Sequence, residues 1–294
     1  MKKLGYAAII FTMVVWGLSY ISIKIALEVF TPIGLVFFRY VFASVFFILF
    51  MKIKKESFRF DLKDLPLFLL SSLIGVVLYF YAESTGIKYL SVSSASIILS
   101  LVPLAIMLSN FLIHNERLNK IKIFTIFASI VGIYLIVSSD SGGVNSTKGY
   151  LFMILAVLSW TVFSETSSRL TKKYSELKVA ATQGYIALLL YLPLIFFQGI
   201  EYSLVEAHHW IHVIALGVLS SAISFLLYVV AMKNIGTTES GLFVNFIPIV
   251  TIVFGYFILG DILTIHQVIG AFIIVSSMTL MISYDIKEVK RKNS

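Results

Sequence analysis

The 294 residues contain no cysteine, only five prolines, and few charges: Asp, Glu, Lys and Arg together make up 13%. Without cysteine there is neither a disulfide framework nor a thiolate site for a metal. A soluble globular domain carries about 25% charged residues, so this composition excludes an ordinary water-soluble fold. There is no G-x-x-x-x-G-K-[ST] loop to cradle a nucleotide phosphate, so nothing points to direct ATP drive. Histidines are few. His208, His209 and His212 cluster near Glu206 at a loop–helix junction, but a zinc site wants three or four ligands held together, and no metal or other cofactor is expected here.

What the chain has in abundance is apolar sequence, 59% of all residues. A helix crossing the hydrocarbon of a bilayer needs about 20 mostly apolar residues. Ten such segments can be drawn, at 4–27, 32–51, 65–84, 92–112, 121–139, 149–168, 179–199, 210–231, 238–258 and 264–284. The first follows Lys2 and Lys3, is too long for a signal peptide and lacks a small-residue cleavage site, so it reads as a retained helix. The expected fold is an all-α membrane protein of ten transmembrane helices, with the lipid bilayer as its partner.

Placing the N-terminus inside puts Lys2, Lys3, Lys52, Lys54, Lys55, Arg59, Lys63, Arg117, Lys120, Lys122, Arg169, Lys172, Lys173, Lys178, Lys233, Lys287, Lys290, Arg291 and Lys292 on the inner side, 19 of the 23 Lys and Arg. Lys88 and Lys148 remain outside; Lys24 and Arg39 lie within segments. Cytoplasmic loops are enriched in Lys and Arg. Both termini and the loop 52–64 are therefore expected in the cytoplasm of a cell, most simply a prokaryotic one, with the chain multi-pass in its plasma membrane. The net charge of +8 is explained by this topology and calls for no nucleic acid.

The halves repeat. A shift of 145 positions carries Lys88 onto Lys233, Pro103 onto Pro248 and Glu116 onto Asp261. The break falls in the polar, glycine- and serine-rich stretch 138–149, so the expected units are 1–139, a linker 140–148 and 149–294 with a basic tail. Five helices per half is an odd number, so the second half enters the membrane inverted. Inverted repeats of this kind are typical of secondary transporters.

Pro103 and Pro248 fall inside apolar helices, where proline removes one backbone bond and frees the carbonyl four residues back. Those carbonyls belong to Leu99 and Val244, and Ser100 and Asn245 stand beside them. These four, with Trp16, Trp160 and Tyr79 as apolar walls, are the expected lining of a central substrate site; the alternative is two kinked packing helices. Ser71/Gly75 and Gly217/Ser221 are small-xxx-small pairs in corresponding helices and read as packing. Ionisable residues at membrane depth are functional candidates. Lys24, Arg39 and Glu83 are expected to serve an outer gate, and Glu165, Arg169 and Glu239 an inner one, against the reading of fixed pairs and snorkelling. Glu165 and Arg169 are four apart, a spacing suited to an ion pair. Proton coupling through Glu83 is one reading, uncoupled facilitation the other.

These landmarks resemble the EamA-type carriers of the drug/metabolite transporter superfamily. Trp16-Gly17, Pro32 with Arg39 and Ala43, Pro103 followed by Glu116, and Gly132 carry the likeness in the first half; Trp160, Pro248, Asp261, Gln267 and Gly270 repeat much of it in the second. The second half has no obvious counterpart of Arg39, and Asp261 stands where glutamate is more usual. The resemblance implies ten helices and export or exchange of a small organic metabolite, such as an amino acid, a related compound or a drug-like molecule. The competing classes are an intramembrane enzyme, which would need a nucleophile with a base or a metal triad at membrane depth, and a membrane sensor or chaperone without transport.

Overall fold

A computed structural model describes residues 2–115, 118–138, 146–198, 204–235, 240 and 243–292. Every regular element among them is helical. We number the helices α1 Lys2–Ala26, α2 Pro32–Lys54, α3 Leu62–Tyr89, α4 Val92–Ile113, α5 Lys120–Ser138, α6 Thr147–Thr171, α7 Glu176–Phe196, α8 Ala207–Ala231, α9 Phe246–Leu259 and α10 Ile265–Tyr284. All but α9 are long and apolar enough to cross a membrane, and α9 is a shorter apolar helix. Helices suit this setting because each satisfies its own backbone where no water is present. Large apolar side chains point outward, among them Leu112, Phe196 and Phe257, each more than 70% exposed, as a lipid-facing surface requires.

Helix boundaries follow local chemistry. Thr31 caps α2 by accepting the Gly34 N–H, with Pro32 in the first turn. Ser91 caps α4 by accepting the Ser94 N–H, and Ser146 caps α6 by accepting the Gly149 N–H. α4 ends at Asn115 (φ 53°) and α9 at Gly260 (φ 67°), both left-handed and 145 positions apart.

The packing pattern repeats itself when the halves are exchanged. α1 packs on α8 and α9 of the second half, and α6 packs on α3 and α4 of the first. α2 leans on α8 as α7 leans on α3, while α2 meets α7, α4 meets α9 and α5 meets α10. Gly5 fits against Ile235 as Gly149 fits against Leu90. At the α5–α10 crossing a Cβ on Gly132 would stand 2.9 Å from the Gly270 carbonyl oxygen, so the backbones nearly touch. Two π-helical stretches, Ser71–Leu78 in α3 and Leu216–Ile223 in α8, are also related by 145 positions.

The proline helices correct the expected geometry. α4 does not merely bend at Pro103. It breaks at Ser100 and Leu101 and restarts at Val102, putting Pro103 in a first turn where a missing N–H costs nothing. In α9, Val244 and Asn245 form a turn and the helix runs from Phe246, again with Pro248 in its first turn. The Val244 carbonyl is not freed: it accepts the Ile247 N–H at 3.1 Å.

Candidate functional site

Between the two sets of helices lies a cavity of about 870 Å³. Its walls come from α1, α2, α3 and α4 and from α6, α7, α8 and α9, so both halves build it. Trp16, Trp160, Phe163 and Tyr228 form aromatic sides, and Pro103 and Pro248 bring the broken helices to its edge. The lining continues past Asn110, Lys122, Thr171 and Glu176, at the ends of α4 and α6 and the starts of α5 and α7, so the cavity reaches the face where those ends lie.

The other end is closed and polar. Arg39 from α2 and Glu83 from α3 meet there, Nη1 to Oε2 at 3.8 Å, with side chains 5% and 6% exposed. Ser221 and Ser220 of α8 accept from Arg39 Nε at 2.6 Å and Nη2 at 3.3 Å. The guanidinium lies 4.2 Å from the Phe80 ring centroid, a cation–π contact. Tyr79 donates its hydroxyl to Glu83 Oε1 at 2.7 Å, and the buried Tyr20 lines the same end. Beyond this cluster the face is sealed. Lys24 Nζ donates to the carbonyls of Ile87 and Leu90 at 2.8 and 2.7 Å, covering the C-terminus of α3. Asp261, at the end of α9, accepts the Ser93 N–H at 2.9 Å and covers the N-terminus of α4.

The structure brings Trp16, Trp160, Tyr79, Leu99, Ser100, Val244, Arg39 and Glu83 to one cavity. Trp16 donates to the Ser220 carbonyl at 3.1 Å and packs on Tyr228; Trp160 packs on Tyr79, 4.9 Å between centroids. Asn245 is a correction: it turns from the cavity and donates to Thr279 Oγ1 of α10 at 3.1 Å. Ser100 lines the cavity while its hydroxyl donates to the Ile97 carbonyl. Lys24 sits on helix-end carbonyls and not on the cavity. Glu165 and Arg169 form the expected i,i+4 pair at 2.8 Å, off the cavity wall. Glu239 lies outside the described residues, as does Glu116. His209 closes a capping box with Glu206, and His212 meets Ser22 Oγ at 3.2 Å. Among the described residues no three His, Asp or Glu gather as a metal site would need.

Sequence reasoning passed over Tyr20, Ser220 and Ser221. The last had appeared as half of a small-xxx-small pair, and that pairing was half the story. A Cβ on Gly217 would strike the Arg39 backbone, so the small residue admits α2 while the serine holds its side chain. Gln183, 144 positions after Arg39, occupies the related place on α7. It donates to Ser71 Oγ in the π-helical stretch of α3 as Arg39 donates to serines in that of α8. The second half therefore has a neutral counterpart of Arg39.

A sequence model of the EamA-like transporter family matches residues 3–138 and again 147–283. An uncharacterized transporter of Archaeoglobus fulgidus is 23% identical over 96% of this chain and 99% of its own length. The uncharacterized transporters YdfC and YcxC of Bacillus subtilis are 24% and 26% identical, each over 90% of this chain and 86% and 88% of their own. A crystal structure of a chain 17% identical superposes with a TM-score of 0.68, covering 94% of this chain and 96% of that one, which supports the fold.

Proposed function

Because the chain belongs to the EamA-like transporter family and is a multi-pass membrane protein, we propose that it is a secondary carrier that exports or exchanges a small organic metabolite by alternating access. The units are the halves 1–139 and 149–294, joined by 140–148 and read as inverted five-helix repeats. The observation that carries the reading is the cavity itself. It is built by repeat-related helices of both halves, reaches one face and ends at a sealed polar cluster on the other. Its volume lies within the range of small-molecule sites, and its walls are mostly apolar with few polar groups, as such sites usually are. Transporter sites lie near the midplane where broken helices of two repeats meet. With both termini cytoplasmic, the open face is the cytoplasmic one. Glu83 is the group we assign to proton coupling, since it is the carboxylate at the closed end of the cavity.

The test is transport by the purified protein. A metabolite library is screened by thermal shift, because a ligand that binds only the folded form raises its apparent stability. Hits are then tested for counterflow in proteoliposomes. Substrate-dependent counterflow is expected, and Glu83→Gln should lose the pH dependence of net transport while the protein stays folded. Hits that bind without any counterflow would remove the carrier reading.

A further inference from the structure

Two buried donors at the closed end of the cavity have no hydrogen-bond partner: Arg39 Nη1 and the Tyr20 hydroxyl. Both residues line the cavity, and Tyr20 is only 2% exposed. A guanidinium offers five N–H groups in a planar fork, and Arg39 uses Nε and Nη2 on Ser221 and Ser220. Nη1 faces Glu83 Oε2 at 3.8 Å, an ionic contact too long for a hydrogen bond. The other Glu83 oxygen is taken by Tyr79. A fully formed Arg–carboxylate pair would close to about 2.7–2.9 Å. The guanidinium is thus held by serines through Nε and Nη2, while Nη1 stays buried and unpaired beside Glu83 at the closed end of an aromatic-walled cavity.

We propose that Arg39 and Tyr20 bind the carboxylate of an organic acid with an apolar body, and that this carboxylate replaces Glu83 as the partner of Arg39. The proposal rests on the carrier reading above and names its substrate class. One guanidinium pairs with one carboxylate at a time, that of Glu83 or that of the substrate. Two donors match the two oxygens of one carboxylate, and Trp16, Trp160, Phe163 and Tyr228 suit an apolar body. Arg39 repels a cation, and a neutral solute gains no ionic attraction from it. Substrate and Glu83 compete for one site, so Glu83 is released from Arg39 when substrate binds and returns when it leaves.

The full-length protein in nanodiscs is titrated with phenylacetate and indole-3-acetate and with the corresponding amides. The acids are expected to bind about 10- to 100-fold more tightly than the amides, the scale of a hydrogen bond to a charged group. Tyr20→Phe should weaken the acids and not the amides. Glu83→Gln removes the competitor and should tighten acid binding. Removing one member of a buried pair endangers folding, so Arg39→Gln is paired with the charge-balanced Arg39→Gln/Glu83→Gln variant. Both should lose the preference for acids. Amides that bind as tightly as acids, or acids that fail to bind the folded wild type, would overturn the proposal. Weaker acid binding in Glu83→Gln would also overturn it, because Glu83 would then be holding a substrate cation. Counterflow of a non-acidic solute, unchanged in folded Arg39→Gln, would leave transport standing and remove this site. Acid binding without counterflow would do the reverse.

Discussion

At Gly217 a methyl group would stand 2.6 Å from the Arg39 carbonyl oxygen and 2.8 Å from Phe42 Cβ. Neither can yield, since one is backbone and the other is the root of a side chain. Gly217→Ala should therefore lower stability by about 1–3 kcal/mol, the usual cost of overpacking, read as a lower Tm. It should also weaken substrate binding, because the same turn of α8 carries Ser220 and Ser221 to Arg39. Gly184 is the contrast. A Cβ there would find Tyr40 at 3.6 Å, ordinary contact, and Gly184→Ala should hold or raise stability, by up to about 1 kcal/mol. Asn245 gives a second prediction at this scale. Its amide donates to Thr279 and its Oδ1 has no partner, so Asn245→Leu loses one bond and relieves one buried acceptor. Stability should change by no more than about 1 kcal/mol, and substrate affinity should be unchanged. A drop in affinity in the folded variant would return Asn245 to the cavity.

The helices themselves were largely legible, because twenty apolar residues in a row admit few other readings. Proline positions told where α4 and α9 are interrupted, since Pro103 and Pro248 cannot donate to a helix interior. They did not tell how: a break with proline in the next first turn spares the carbonyl that a mid-helix kink would free, as the Val244–Ile247 bond shows. The π-helical stretches were not legible, because Ser71–Leu78 and Leu216–Ile223 carry no residue that marks an i→i+5 ladder; only their shared spacing exposes them. Nor was the direction of Asn245, since a side chain beside a proline break can face the cavity or the neighbouring helix. The loops add a contact that charge counting hid. Lys173, in the α6–α7 loop, bridges Asp61, just before α3, and Asp64, in its first turn, at 3.1 and 2.7 Å, and Ser175 donates to Glu56. The Lys63 backbone N–H and then Lys173 hold the Asp61 carboxyl below the usual carboxylate range. A depressed carboxylate stabilises the fold above its unfolded pKa and loses that contribution as pH falls through the depressed value. The difference in Tm between wild type and Lys173→Ala should thus be constant from pH 8 to pH 5 and shrink only below about pH 4. It should also be small and salt-sensitive, since the groups are exposed. A difference that vanished near neutral pH would mean that these carboxylates are not what Lys173 holds.

Across the molecule, the packing divides the helices differently from the sequence. α1 and α2 associate with α8 and α9, and α6 and α7 with α3 and α4, so each bundle mixes both halves. The α2–α7 and α5–α10 contacts pair repeat-related helices and suit a pivot. The α4–α9 contact also pairs repeat-related helices, and on the sealed face it is tight: a Cβ on Gly255 would stand 2.8 Å from Val92 Cγ2, and Asp261 reaches the Ser93 N–H. The repeat counterpart of Gly255, 145 positions earlier, is Asn110, which lines the open mouth of the cavity. Gly255 packs against Val92 on the sealed face while Asn110 borders the cavity on the open one, an asymmetry that rocking of two repeat-related bundles would exchange. On the carrier reading proposed above, the seam that parts to open the sealed face is Val92–Gly255. With no cysteine in the chain, disulfides can be placed freely. In Val92→Cys/Gly255→Cys the two Cβ atoms lie one bond beyond that 2.8 Å approach, within the span a disulfide bridges. Leu90→Cys/Gly149→Cys is the control: Leu90 Cγ lies 2.6 Å from the position of a Cβ on Gly149, and both residues belong to the α3–α4–α6–α7 bundle. Under oxidation the first pair should abolish counterflow in proteoliposomes and recover it on reduction, while the second should leave counterflow intact. Full transport by a Val92–Gly255 disulfide confirmed by mass spectrometry would show that the sealed face opens elsewhere.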